Sequence, residues 1–438
     1  MELRDLIVTP IIILLVYAGA YAIRPYVTDP VNRKYFLPGL TVRVIGALAL
    51  GFIYQFYYDG GDTFNFHTRG SRHVWEAFME NPIAGWRLLT FQGDYAKGTY
   101  EYATKIAFYS DASSFFVVRL ATIFDLITFS AYSGTAVLFA LLAFTGSWLL
   151  FLTFYRQNPE LHGWLAAATL FIPSVVFWGS GIMKDTLTLA AVGALTFAAY
   201  QLFLVKPKAS IWHWLLLLLC VWTIFSVKKY ILLCFAPALL LWVYTQHLHR
   251  IKSMIIKLFL MPVIGLLLVA SGYYAILLIG EDDPRYSLDK IATTARITAY
   301  DIGFYSGRNA GSGYNLGELD GSFESMLAKT PQAINVSLFR PYLWEVKNPL
   351  MLFSSLEGLL LLAITLYVLV KKGRLLWKAL GNPTVVFCLV FSLTFAFAVG
   401  VSTFNFGTLS RYKIPLLPFY GLAMVYLLHY RGKSMHNG

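Results

Sequence analysis

Apolar runs close to 20 residues long recur along this entire chain, near residues 6–23, 39–58, 133–155, 164–182, 186–204, 211–227, 229–246, 258–279, 348–370, 383–403 and 414–430. Such a run is what an α-helix needs to cross the hydrocarbon core of a bilayer. Inside a bilayer every backbone N–H and C=O has to be satisfied internally, which leaves helices and closed barrels. A barrel would read as alternating ten-residue segments, and the sequence has no such alternation. The expected fold is all-α, a polytopic transmembrane helical bundle forming a single integral-membrane domain over residues 1–438. Only 13% of residues are charged, against about 25% in soluble domains. The three cysteines, Cys220, Cys234 and Cys388, all fall in apolar runs, where packing is the expected role rather than disulfides or metal binding.

The net charge of +12 does not point to nucleic acid. Much of it lies in short connectors, which reads as topology, because cationic loops stay cytoplasmic. The connectors with Lys206 and Lys208, His247–Lys257 and Lys371–Lys378, together with the tail Arg431–Lys433, are placed inside on that rule. So is the connector with Arg24, Arg33 and Lys34. Alternation then puts two long polar stretches, 59–113 and 280–347, and the short loop Asn405–Lys413 outside. The count is eleven spans if 114–131, which carries Arg119 and Asp125, lies along the interface, and twelve if it crosses. Within 59–113, the stretch Arg72–Leu89 mixes Trp75, Phe78 and Trp86 with charges and is interrupted by Pro82, which predicts two short helices on the membrane interface. Cationic short loops, and an N-terminus read as an anchor rather than a cleaved signal, suit a multi-pass protein of a bacterial inner membrane.

Five motifs at segment ends carry the candidate chemistry. The first is Asp59-Gly60-Gly61-Asp62, where an apolar run gives way to the first long polar stretch. Acids at the lip of a bilayer are costly unless paired, solvated or used. The spacing puts both on one side of a helical turn or around a tight Gly-Gly bend. Such a pair can ligate a divalent cation, the one cofactor the sequence suggests, or act as base and orienting group. His67 follows five residues on as a third member. The plainer reading is a glycine turn with solvated acids.

The second motif runs from Pro173 to Asp185, where Ser180-Gly181-Ile182-Met183-Lys184-Asp185 joins one helix to the next. Asp185 suits the positive end of a helix dipole; Lys184 opposes it, and a phosphate there would answer both. The third is Lys228-Lys229, a cationic pair on the outer side by alternation, whose bland reading is snorkelling. The fourth is Arg340-Pro341-Tyr342-Leu343-Trp344-Glu345, either an interfacial belt or a sugar platform beside an anion clamp. The fifth is Arg411-Tyr412-Lys413 before Pro415 and Pro418, in which Arg411 suits bidentate phosphate binding.

With an acidic motif opening the first outer loop, interfacial helices behind it, a Pro-x-x-x-Phe-Trp-x-Ser-Gly helix end before Lys-Asp, and an Arg-Tyr-x-x-Pro-x-x-Pro entry to the last span, the chain resembles the GT-C superfamily of integral-membrane glycosyltransferases. That resemblance implies a polyprenyl-phosphate-linked sugar donor and a glycan, lipid or protein acceptor at the extracytoplasmic face. It implies Asp62, with Asp59 second, as the catalytic acid of the first loop, and Arg411, Lys184 and Lys229 at the donor phosphate. Lys228 and Lys413 would add to that cationic group, and His67, Arg340, Tyr342, Trp344 and Tyr412 would meet sugar or acceptor. The extra span before the acidic loop, the Asp-x-x-Asp spacing and the lack of a large soluble domain depart from the family plan. The Arg-Tyr-x-x-Pro ending also resembles O-antigen-type polymerases. An O-antigen or exopolysaccharide polymerase is therefore the alternative enzyme, and a transporter or lipid flippase the alternative of another class.

Overall fold

The computed structural model describes residues 2–90, 98–205, 210–251, 265–266, 270, 273–274, 277, 280, 283, 285, 287, 289–307 and 312–430. The expected span 258–279, the Lys206/Lys208 connector, the basic connector beyond Ile251 and the Arg431–Lys433 tail lie wholly or mainly outside these residues. The regular secondary structure among the described residues is all helical, with one isolated antiparallel bridge between Gly313 and Asn405. Seven of the helices among them are long and apolar enough to cross a membrane. The chain is an all-α membrane protein with multiple apolar helices.

The residues group into two compact units, Met1–Ala198 with Ile211–Lys228, and Ala199–Ser210 with Lys229–Gly438. In the first, α1 (Leu3–Val27) and α8 (Tyr132–Tyr155) run parallel, and α2 (Arg33–Phe56) runs antiparallel to both. Between α2 and α8 come α3 (Asp62–Phe66), a π-helical turn (His67–Ser71), α4 (Arg72–Glu80), α5 (Pro82–Thr90), α6 (Tyr100–Ala103) and α7 (Ala112–Thr128). The break between α4 and α5 falls at Pro82, where the sequence places it. At one end of the set, Asp5 of α1 accepts from the Ser133 N–H at 2.9 Å, capping α8, and Thr63 bonds the Tyr132 hydroxyl at 2.8 Å. At the other end, Tyr155 donates to Asp29 at 3.1 Å and Tyr35 meets His162 at 2.7 Å. The 59–113 stretch and the Arg24–Lys34 connector thus occupy opposite ends of this unit.

The segment 164–182, expected as one span, is instead two short helices, α9 (His162–Leu170) and α10 (Pro173–Trp178). Pro173 has no N–H to continue a ladder, and Ile172 before it is extended (φ −66°, ψ 122°). The carbonyls at the end of α10 are met from α2. Arg43, fully buried, donates to Val175 O at 2.7 Å, Gly179 O at 3.0 Å and Ser147 Oγ at 2.7 Å. A cation at a helix C-terminus answers both the unmet carbonyls and the negative end of the dipole. The chain resumes in α11 (Lys184–Ala199), which approaches α8 where Gly146 faces Ala190 and Gly193, a spacing that leaves no room for a Cβ.

Helix α12 (Ile211–Arg250) is 40 residues long, about 60 Å against a hydrocarbon core of about 30 Å. It is interrupted at Lys228, whose backbone is non-helical (φ −147°, ψ 80°). That residue is where the sequence separates two spans.

The second unit holds α13 (Ile291–Gly307), α14 (Phe323–Ala328), α15 (Thr330–Phe339), α16 (Pro349–Lys372), α17 (Leu375–Ala379), α18 (Pro383–Val401), α19 (Phe406–Tyr412) and α20 (Leu417–His429). Its core is aromatic: Phe235, Phe391 and Phe419 meet edge to face, and Trp242 stacks on Phe387 at 4.6 Å. Helices α16 and α20 run parallel, joined by Ser354–Ser410 (2.9 Å), Thr365–Tyr420 (2.7 Å) and Lys372–Tyr430 O (2.9 Å). Arg340 and the Asn405–Lys413 loop therefore lie at the end of this unit opposite Lys371 and Lys372. Asn348, Asn382 and Asn405 cap α16, α18 and α19 through their side-chain oxygens.

Candidate functional site

Past the end of α2 the chain makes a bend with three successive residues of positive φ, Asp59 (52°), Gly60 (123°) and Gly61 (121°). Two glycines make this conformation accessible, and a Cβ on Gly61 would lie 2.8 Å from the Tyr54 ring. The Gly60 N–H returns to Tyr54 O at 2.8 Å. The acids thus flank a bend rather than share a helical face. Asp62 opens α3, where its carboxylate faces the positive end of the backbone dipoles. Asp59 is exposed and Asp62 is half-buried.

His67, expected beside these acids, turns to the interior. Its ring is wholly buried, with Nε2 3.3 Å from Asp125 Oδ1 on α7. The π turn at His67–Ser71 widens the helix so that His67 and Ser71 both reach Asp125, and Ser71 donates to its Oδ2 at 2.6 Å. Thr135 of α8 donates to Oδ1 and also meets Thr128 at 2.7 Å. The two deep charges of α7 separate here: Asp125 is the buried hub, whereas Arg119 lies 4.9 Å from the Phe115 ring. Among the described residues no three His, Cys, Asp or Glu side chains gather closely enough to hold a metal ion.

Lys184 is held by the polar stretch itself. Its Nζ donates to Asp111 Oδ2 at 3.1 Å and Ser113 Oγ at 2.6 Å. Asp111 is also the N-cap of α7, accepting from the Ser113 N–H at 3.1 Å. Burial pushes the Asp111 carboxyl up, but bonds from Ser114, Lys184 and Ser113 and the Lys184 charge hold it down at about 2. Helix α7 therefore begins beside the start of α11 and ends beside the start of α8. Both are at the acidic-turn end, so α7 lies across that end of the unit instead of traversing it. Asp185, one residue on, is buried and pairs with Lys228 at 2.5 Å. The ion pair joins the start of α11 to the interruption of α12.

In the second unit, Arg340 forks onto Glu345, with Nε 3.0 and 3.2 Å from its oxygens and Nη2 also in contact. The Tyr342 N–H adds a bond to Glu345 at 2.8 Å. The Arg340 guanidinium lies 5.4 Å from the Phe406 ring and 6.0 Å from that of Tyr314. Tyr342 and Trp344 stack at 4.8 Å, and Trp344 is 81% exposed. Bonds with Glu345 push the Arg340 guanidinium up; on Glu345, burial raises the carboxyl but the Arg340 and Tyr342 bonds outweigh it and hold it down. Lys413 is fully buried, with the Glu357 carboxylate of α16 acting on it. Arg411 and Tyr412 on α19 are half-buried, and so is Lys229, whose charge reaches Asp283.

The structure thus brings Lys184 to the acidic-turn end of the first unit and gathers Arg340, Arg411 and Lys413 at one end of the second. Two of the cations selected for phosphate contact carry a carboxylate whose pairing the sequence reading missed, Asp111 on Lys184 and Asp185 on Lys228, and so does Arg340, selected for sugar or acceptor contact, through Glu345. A local signal exists for Asp111, because Asp-Ala-Ser-Ser before an apolar run is an N-cap pattern. Arg43, buried inside an apolar run, was a second available signal.

No protein-family model matches this chain, and no curated protein or solved structure matches it.

Proposed function

We propose that the chain is a membrane glycosyltransferase that moves a sugar from a polyprenyl-phosphate donor to a glycan, lipid or protein acceptor at the extracytoplasmic face. The observation that carries this reading is the gathering, at one end of an apolar helical unit, of an acidic turn open to solvent, a flat helix α7 and a lysine reached by that same stretch. A lipid-linked donor keeps its tail among apolar helices and its phosphate at headgroup level, the level this reading gives to these groups. Asp62 takes the proton of the acceptor hydroxyl as its oxygen bonds the sugar carbon. The bond from that carbon to the phosphate oxygen breaks, and the electron pair leaves on the polyprenyl phosphate. Lys184 meets that charge by exchanging Asp111 for phosphate.

The test uses the full chain in proteoliposomes with a radiolabelled polyprenyl-phosphate hexose and a lipid-linked acceptor extract. Asp62→Asn is expected to lower transfer by about 10²–10⁴-fold at unchanged protein level and melting temperature. Transfer at the wild-type rate in that variant refutes the assignment. A product ladder of repeat units would instead favour the polymerase. The buried Asp185–Lys228 pair between two helix interruptions favours a second reading, transport of the lipid-linked substrate, since transporters use charges at broken helices. Movement of labelled lipid across the vesicle without sugar transfer would decide for it.

A further inference from the structure

Within the second unit, α13 and the chain between Ser312 and Ser325 line an open cavity of about 710 Å³. Its polar lining is Arg296, Tyr300 and Asp301 from α13, with Glu318, Asp320 and Ser325 opposite. Spacings of four and five residues put the first three on neighbouring positions of one helix face. The two walls are tied together: Arg296 Nη1 donates to Asp320 O at 2.8 Å, and Thr293 donates to Gly321 O at 3.3 Å. The far wall is in turn pinned to the Arg411 loop, through Tyr314 N–H to Phe404 O (3.1 Å), Phe406 N–H to Ser312 O (2.8 Å) and Asn405 to Ser312 Oγ (3.0 Å). Tyr300 itself meets the Phe404 ring edge to face at 5.6 Å and keeps 48% of its surface exposed.

We infer that this cavity binds the saccharide portion of an acceptor, uncharged or bearing an amino group; the inference rests on the transferase reading. Its volume lies in the small-molecule range of about 300–1,000 Å³. Three carboxylates against one guanidinium, itself engaged with Asp320 O, make the cavity net negative, which disfavours a phosphate. A divalent cation is not the better occupant, because these acids are not gathered as ligands. What remains matches a polyol: carboxylates that accept from hydroxyl pairs, a serine that donates or accepts, and a tyrosine offering an apolar face.

The experiment is saturation-transfer NMR on the full chain in lipid nanodiscs, with chitobiose, glucosamine and maltose as probes and glucose 1-phosphate as the anionic comparison. At least one uncharged or amino sugar is expected to bind saturably and more tightly than the sugar phosphate. Tyr300→Ala and Glu318→Gln are expected to weaken it at least tenfold while melting temperatures stay unchanged, and Asp301→Asn provides a near-isosteric second variant. The inference is overturned if none of the three sugars binds saturably, if the phosphate binds more tightly, or if folded variants bind as wild type does. Asp62→Asn separates the two readings: it should abolish transfer and leave sugar binding intact. Wild-type protein that binds sugar without transferring it sinks the transferase reading alone, whereas transfer with an unchanged acceptor KM in the Tyr300 and Glu318 variants sinks the cavity assignment alone.

Discussion

Removing one partner of the Asp185–Lys228 pair is the sharpest probe of the first unit. Asp185 and Lys228 keep 1% and 8% of their side-chain surfaces, and the charged atoms are 2.5 Å apart. At so little exposure solvent screening is weak, and a Coulomb energy of roughly 7 kcal/mol at this separation and an effective dielectric of 20 sets the upper scale. Lys228→Met strands a buried carboxylate and is expected to destabilise by about 3–5 kcal/mol. Asp185→Asn strands the ammonium at a comparable cost. The double variant Asp185→Asn/Lys228→Met removes both charges, and its cost is expected to fall short of the sum of the singles by about 2–3 kcal/mol. The assay is reversible unfolding of full-length protein in mixed micelles with increasing SDS, read by tryptophan fluorescence. Lys347→Met, at an exposed lysine, serves as the surface control, expected within about 0.5 kcal/mol of wild type. A coupling below about 0.5 kcal/mol, or a Lys228→Met cost no larger than the control, would refute the claim that a buried ion pair joins α11 to the interruption of α12.

Arg43→Met, which removes the side-chain donor to the Gly179 carbonyl and one of two donors to the Val175 carbonyl, is expected to cost roughly 1–3 kcal/mol in the same assay, with Arg43→Lys intermediate because an ammonium cannot span the same acceptors. Gly146→Ala sets a Cβ against Ala190 and should cost about 1–3 kcal/mol, seen as a lower melting temperature. The Asp111 carboxyl is held below its unfolded value, so its contribution is present in full above about pH 3.8 and is lost as pH falls through about 2; Asp111→Asn should remove that part of the acid-unfolding profile. With Cys220, Cys234 and Cys388 replaced, single cysteines at the exposed positions Asn81 and Trp344 should both react with an impermeant thiol reagent on intact cells; labelling at Trp344 alone would separate the 59–113 stretch from the Arg340 segment.

Much of the fold was legible because bilayer physics is written in one dimension. The runs at 6–23, 39–58, 133–155, 348–370 and 383–403 each contain or match a long helix, since length and apolarity alone decide such elements. The two helices around Pro82 were legible for a similarly local reason, a residue without an N–H. The 164–182 run misled because it is apolar enough for one span, whereas Pro173 breaks the ladder within it and α10 then ends at Gly179, where Arg43 meets the last carbonyls from a distant helix. The acids and cations at segment ends were visible as residues, but His67 was assigned to its neighbours in sequence when its partner is 58 positions away on α7.

By itself the sequence determined the helical class, the position of most long helices, the cap and proline breaks, and the placing of charge at segment ends. These follow from hydropathy, backbone chemistry and spacing within a few turns. Only the tertiary structure decided which charges neutralise one another. Lys184 meets Asp111, Lys228 meets Asp185 and Arg43 meets the end of α10, and helix α7 lies across the end of its unit because of what holds its two termini. The physical reason is range: helix formation is settled between residues three or four apart, whereas a buried charge takes whichever partner the packing of distant helices brings within about 3 Å.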